Sequence, residues 1–295
     1  MIPEDRISLR RGDGELVLFR YGPLGGRPIL AIHGVTSSHL AWQFMADELV
    51  ARGYTVWAPD LRGRGDANAV GGPYGMRVHA EDLIALLDAA GLERVDVIGH
   101  SMGAFVAVAL QYLHPDRVAR LMLVDGGVPL ALPAGVTVEQ VMPLILGPAL
   151  ARLAMEFASI DEYRNFWQEN PAFAQRGWGV ELDRYIAHDL RGPAGCGRPS
   201  TTAEAVSADS ADLWGDNVVA EGLVALVEPV TMLRAERGLQ NEPGGLYPEA
   251  VLPVVAAAYP KVAVVTIADT NHYDIIMSAE GARMSTRALF AEGLA

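Results

Sequence analysis

The chain has 295 residues, 51% of them hydrophobic, enough to build the core of one large domain carrying an insertion. Its 36 acidic against 23 basic residues give a net charge of −13, which speaks against nucleic acid or anionic membrane as a partner. No apolar run reaches membrane-spanning length, and the first residues lack a basic-then-apolar leader pattern, so cytoplasmic residence is the expectation. The lone cysteine, Cys196, excludes an intramolecular disulfide or a cysteine metal cluster.

Residues 15–21 alternate in polarity and predict an antiparallel edge strand, closed by Gly22-Pro23 and Gly25-Gly26. Residues 28–32 form a continuous apolar strand of the kind buried on both faces of a parallel sheet. A helix over 40–52 ends at Gly53, a strand covers 55–59, and Asp60-Leu61-Arg62-Gly63-Arg64-Gly65 follows as a loop. An amphipathic helix over 78–90 stops at Gly91.

The next strand runs into Gly99-His100-Ser101-Met102-Gly103, and a run of apolar helix formers follows it. A serine is thus held on a sharp turn between strand and helix, with glycines where a Cβ would clash. The helix N-terminus behind it favours developing negative charge. This is the G-x-S-x-G motif in the strand-to-helix context that gives it meaning. His114-Pro115 ends the helix, and strand 118–124 leads to Asp125-Gly126-Gly127. Strands and helices have alternated throughout, which predicts an α/β fold, a mostly parallel doubly wound sheet with helices on both faces.

From residue 129 the alternation breaks. An apolar helical stretch covers 136–159, and 160–167 reads as an amphipathic helix capped by Ser159 or Asp161. Residues 192–200 read as a Gly- and Pro-rich loop holding Cys196. We divide the chain into a first core part (1–128), a helical cap (129–216) and a second core part (217–295). The cap is rich in aromatics: Phe157, Tyr163, Phe166, Trp167, Phe173, Trp178, Tyr185 and Trp214. Most are expected to form the cap's own core, a minority to face a pocket suited to an apolar substrate. Strand 230–235 returns to the sheet, a helix lies within 248–259, and strand 262–267 precedes Asn271-His272-Tyr273. A helix over 279–291 closes the chain.

These motifs together resemble the α/β-hydrolase superfamily. Ile29-Leu30-Ala31-Ile32-His33-Gly34 is similar to its oxyanion strand and loop, the Asp60 to Gly65 segment to its next loop, and Asn271-His272-Tyr273 to its catalytic-histidine loop. The resemblance implies a nucleophile at Ser101, a base at His272, and oxyanion donors at the backbone N–H groups of Val35 and Met102. His33 and His100 read as packing residues, while His39, His79, His114 and His188 read as solvated or capping. Asp60 reads as structural.

A serine hydroxyl needs a base, and the base needs an orienting carboxylate. The family's commonest pattern puts that acid after the strand that follows the cap. Here that loop holds Glu236, beside Arg237, and Glu242 further on, but no aspartate. Asp125, at the end of the strand after the nucleophile strand, is the better candidate, as in some superfamily members. Glu236 and Glu242 remain as alternatives.

The resemblance implies a serine hydrolase acting on a small, mostly apolar ester or lactone through an acyl-enzyme. Carbon–carbon bond hydrolases, cofactor-free perhydrolases and cofactor-free dioxygenases use the same triad, and some receptors keep the fold with little turnover. Epoxide hydrolases and haloalkane dehalogenases carry aspartate where Ser101 stands. No phosphate-binding loop or metal cluster is visible, so no cofactor is expected.

Overall fold

A computed structural model describes residues 1–130, 135, 137–174, 177–193, 197–215 and 217–291. Cys196 and the cap boundary at Asp216 lie outside the described residues. The main sheet joins β1 (Asp5–Arg11), β2 (Gly14–Tyr21), β3 (Arg27–Ile32), β4 (Tyr54–Asp60), β5 (Val95–His100) and β6 (Val118–Val124). Two later strands, β9 (Val230–Ala235) and β10 (Val262–Ile267), complete it. The spatial order is β1-β2-β4-β3-β5-β6-β9-β10, with β1–β2 and β2–β4 antiparallel and the other pairs parallel. After β6 the chain leaves this sheet, forms a separate minor pair, β7 (Leu190–Arg191) and β8 (Arg198–Pro199), and returns to it at β9.

The edge therefore differs from the expectation: β2 is covered by β1 and is almost wholly buried. The sequence of β1, Asp-Arg-Ile-Ser-Leu-Arg-Arg, puts charges along an exposed strand, as an edge that resists pairing with another chain should. The short β7–β8 pair also interrupts what reads in sequence as a plain loop.

Helices α1 (Gln43–Ala51), α10 (Asp274–Met277) and α11 (Ala279–Leu289) pack together at one side of the sheet. Helices α2 (Met76–Ala89), α3 (Met102–Leu113) and α8 (Val218–Val224) pack together as a second group. Residues Met102 to Leu110 of α3 are all buried, which explains why that helix is apolar all round. α9 (Leu252–Ala258) lies against β10.

Helices α4 (Val138–Leu153), α5 (Ile160–Glu169), α6 (Val180–Asp189) and α7 (Ala203–Ser210) occupy the segment between β6 and β9. Ser159 caps α5 by accepting the Glu162 N–H at 3.1 Å, so the serine and not Asp161 is the N-cap. The aromatics of this segment pack on one another: Tyr163 lies 4.5 Å from Phe157 between ring centres, and Trp167 5.1 Å from Phe173. A buried network of Arg152, Tyr163, Asp189 and Ser200 ties the same helices together. Burial opposes ionisation of Asp189, but Arg152 beside it holds the carboxyl below its usual range.

Candidate active site

Sheet register brings the site together. Parallel pairing sets His100 opposite Val124, so Ser101 and Asp125 leave the sheet side by side, at the strand ends where ligands bind in such folds. Ser101 has φ 54° and ψ −127°, and its N–H donates to Val124 O at 2.9 Å. A non-glycine residue in that conformation is strained and is held by its surroundings. The surroundings are tight: a Cβ on Gly103 would sit 2.1 Å from Ile32 O, and one on Gly126 2.2 Å from Ser101 O. Glycine at these positions is what lets the turn pass between β3 and the loop after β6.

Asp125 is wholly buried, with φ 43°. Its Oδ2 lies 2.7 Å from His272 Nδ1, and its Oδ1 accepts the Ala235 N–H at 3.0 Å. The conventional place for the acid, just past β9, is thus where the chain donates an N–H to Asp125. Glu236 points elsewhere: it is exposed and accepts the Asp269 N–H at 2.8 Å. Glu242 caps its own loop by accepting the Gln240 N–H at 2.7 Å. Of the three sequence candidates for the acid, the structure brings Asp125 to the histidine.

With Asp125 Oδ2 accepting the Nδ1–H of His272, Nε2 is the ring nitrogen left as acceptor. The His272 carbonyl accepts from His100 Nε2–H at 2.8 Å, so the residue before the serine steadies the histidine loop. Burial, then His272 beside it, hold the His100 imidazole well below its usual pKa, so it stays neutral. His33 accepts the Leu61 N–H at Nε2 (3.0 Å) and donates from Nδ1 to Gly34 O (2.8 Å). Burial lowers its pKa to about 4. It clamps the loop that carries Val35, the packing role expected from sequence.

Ser101, His272, Val35 and Met102 line one narrow cavity of about 50 Å³. The inserted segment contributes Leu130, Ala149, Tyr185 and Leu213 to its wall, and the loop after β9 contributes Leu239 and Leu246. No aspartate, glutamate, lysine or arginine is among the described lining residues. Of the eight aromatics singled out above, Tyr185 lines the cavity, and its hydroxyl donates to Ser37 Oγ at 3.2 Å.

Three histidines depart from the expectation of solvated or capping roles. His39 Nδ1 lies 2.8 Å from Asp60 Oδ1, and His188 Nε2 of α6 lies 2.9 Å from Asp60 Oδ2. Backbone N–H groups of His39 and Asp66 occupy the same carboxylate at 2.7 and 2.8 Å. Atoms bound to one tetrahedral zinc at about 2.0–2.1 Å would lie about 3.3 Å apart. The His–Asp–His cluster therefore has hydrogen-bond spacing. Burial alone would raise the Asp60 pKa, but His39 and His188 hold it well below the usual range. The third, His79, is buried with Nε2 2.9 Å from Asp209. His114 does sit at the surface edge, 3.0 Å from Glu81.

A family model described as alpha/beta hydrolase fold matches residues 27–278. The chain belongs to the alpha/beta hydrolase fold family. Lipase LipV of Mycobacterium tuberculosis is 38% identical over 144 residues, 47% of this chain and 53% of that protein. An uncharacterised protein of the same organism is 37% identical over 102 residues, 35% of this chain and 30% of that one. The chain spans between 30% and 53% of the length of these curated relatives. Among solved structures, E-2-(acetamidomethylene)succinate hydrolase superposes with a TM-score of 0.73 at 19% identity, covering 97% of this chain and 99% of that one. The thioesterase domain from the curacin biosynthetic pathway gives 0.69 at 21% identity, covering 95% and 98%. At these identities the structural likeness shows the fold alone. Among the described residues, no helix is long and apolar enough to cross a membrane.

Proposed function

We propose that the protein is a serine hydrolase of small, uncharged carboxylic esters or lactones, with Ser101 as nucleophile, His272 as base and Asp125 as orienting acid. The observation that carries this reading is the buried 2.7 Å contact between Asp125 Oδ2 and His272 Nδ1, beside a cavity that both His272 and Ser101 line. Ser101 Oγ attacks the acyl carbon as His272 Nε2 takes its proton. The N–H groups of Val35 and Met102 receive the oxyanion, each worth roughly 2.7–4 kcal/mol in comparable sites. Met102 is the first residue of α3, where an N–H has no partner within the helix. His272 then gives the proton to the departing alkoxide, and water repeats the sequence on the acyl-enzyme to release the acid.

We infer that the segment 129–216 acts as a cap, a reading supported by Leu130, Ala149, Tyr185 and Leu213, which line the same cavity as Ser101. The described lining residues include no Asp, Glu, Lys or Arg, which favours a neutral acyl chain over a dicarboxylate, whose buried charge would go unpaired. Turnover of a panel of p-nitrophenyl esters and simple lactones, with Ser101→Ala beside the wild type, tests the proposal. Activity in the wild type and its loss in the variant is the expected result. Equal turnover by both proteins, or a wild type that neither turns over the panel nor forms a fluorophosphonate adduct at Ser101, would refute it.

A further inference from the structure

Arg64 sits in the loop after β4 with its guanidinium wholly buried, and its donors reach four separate places. Nε donates to Val35 O at 3.0 Å, and one terminal nitrogen donates to Arg62 O at 2.9 Å and to Asp209 Oδ2 at 2.5 Å. The other terminal nitrogen contacts Met102 Sδ at 3.7 Å. One side chain thus touches both residues whose backbone N–H groups are the proposed oxyanion donors. They lie on different elements, the loop after β3 and the first turn of α3.

Asp209, on α7 of the inserted segment, anchors this arginine. Its Oδ2 also meets His79 Nε2 at 2.9 Å, and its Oδ1 accepts the Gly75 N–H at 2.6 Å. Burial of an ion pair brings little net stability by itself. What the planar fork does bring is direction: a guanidinium donates along several fixed vectors at once, which an ammonium cannot. The bond to Val35 O fixes the peptide that follows Val35, in a loop also held by the turn from Ser37 N–H to Gly34 O at 3.3 Å.

We propose that Arg64 is a positioning residue for the oxyanion site, holding Val35 and Met102 at a fixed spacing and held in turn by Asp209 of the inserted segment. The inference rests on the hydrolase reading above. Its mechanism needs no contact between Arg64 and substrate. Loss of the fork lets the two N–H donors drift apart, which weakens binding of the tetrahedral intermediate more than binding of the ground state.

The test compares full-length wild type, Arg64→Met, Arg64→Lys and Asp209→Asn on the best ester of the panel. Two inhibitors are measured beside it: a trifluoromethyl ketone, whose adduct with Ser101 carries an oxyanion, and the matching secondary alcohol, which forms none. Arg64→Met should lower kcat and trifluoromethyl ketone affinity together by about 10- to 100-fold, less than loss of an oxyanion donor itself. KM and alcohol affinity should stay within about threefold. Arg64→Lys, which keeps the charge and loses the fork, should fall between, and Asp209→Asn should move the same way.

A purely structural arginine would lower the melting temperature without separating the two inhibitors. That result, or an unchanged kcat in a folded variant, overturns the inference. If Arg64→Met does not fold, the lysine and asparagine variants decide by the same criterion. A wild type without turnover and without a Ser101 adduct overturns the hydrolase reading and this inference with it; a competent wild type with indifferent Arg64 variants overturns this inference alone.

Discussion

Asp125→Asn is the substitution that most directly probes the site. Both carboxylate oxygens of Asp125 are engaged, Oδ2 with His272 Nδ1 at 2.7 Å and Oδ1 with the Ala235 N–H at 3.0 Å. An asparagine has one acceptor and one donor end. The Ala235 N–H needs an acceptor, so the amide oxygen keeps that place and the NH2 turns to the histidine. His272 must then accept at Nδ1, which moves its own proton to Nε2, where Ser101 needs a base. The expected loss is about 10⁴-fold in kcat, as a misassigned tautomer costs in triad enzymes. At about 1.36 kcal/mol per tenfold this is roughly 5 kcal/mol of barrier. The neutral amide fits the same space, so the melting temperature should move by only a few degrees. Steady-state hydrolysis of the preferred p-nitrophenyl ester, with thermal unfolding alongside, measures both. A kcat within tenfold of wild type would refute the tautomer argument, as would a larger loss in Glu236→Gln.

Gly103→Ala would place a Cβ 2.1 Å from Ile32 O and 2.5 Å from His33 O, both backbone atoms that cannot step aside. A destabilisation of about 3 kcal/mol or more is expected, visible as a melting temperature lower by about 5 °C or more; an unchanged transition would show that the elbow tolerates the extra methyl. His33 has its pKa lowered to about 4 by burial, against an ordinary 6.5. Between those values the unfolded chain binds a proton that the folded one refuses, so stability is full above about 6.5 and falls as pH drops toward 4. His33→Gln should remove up to one proton from the pH slope of unfolding free energy over that window, and an identical slope in both proteins would contradict the assignment.

Much of this architecture was legible because it rests on local patterns. The run from Val95 to Leu110 shows a strand, a two-glycine turn and a buried helix without reference to the rest of the chain. The place of Asp125, at a strand end beside a glycine pair, is visible in the sequence, and the structure puts it 2.7 Å from His272. What escaped were partners supplied from far along the sequence. His39 and His188 look like surface histidines until Asp60 arrives from 21 and 128 residues away. Arg64 looks like a loop cation, and nothing near it announces Asp209, 145 residues on. The charged strand Asp5–Arg11 hid the true sheet edge, because exposed strands carry little apolar periodicity.

The contact between Asp125 and His272 joins residues 147 apart in the chain, and that between His100 and His272 joins residues 172 apart. Closing loops of that size is entropically costly and slow compared with forming any single helix or turn. The residues of the elbow are contiguous in sequence, although the turn packs against Ile32 and Val124 of neighbouring strands, whereas His272 comes from beyond β10. A cut anywhere between Asp125 and His272 turns their meeting into an association between two fragments. The proposed chemistry therefore depends on residues that the sheet gathers from distant parts of one chain.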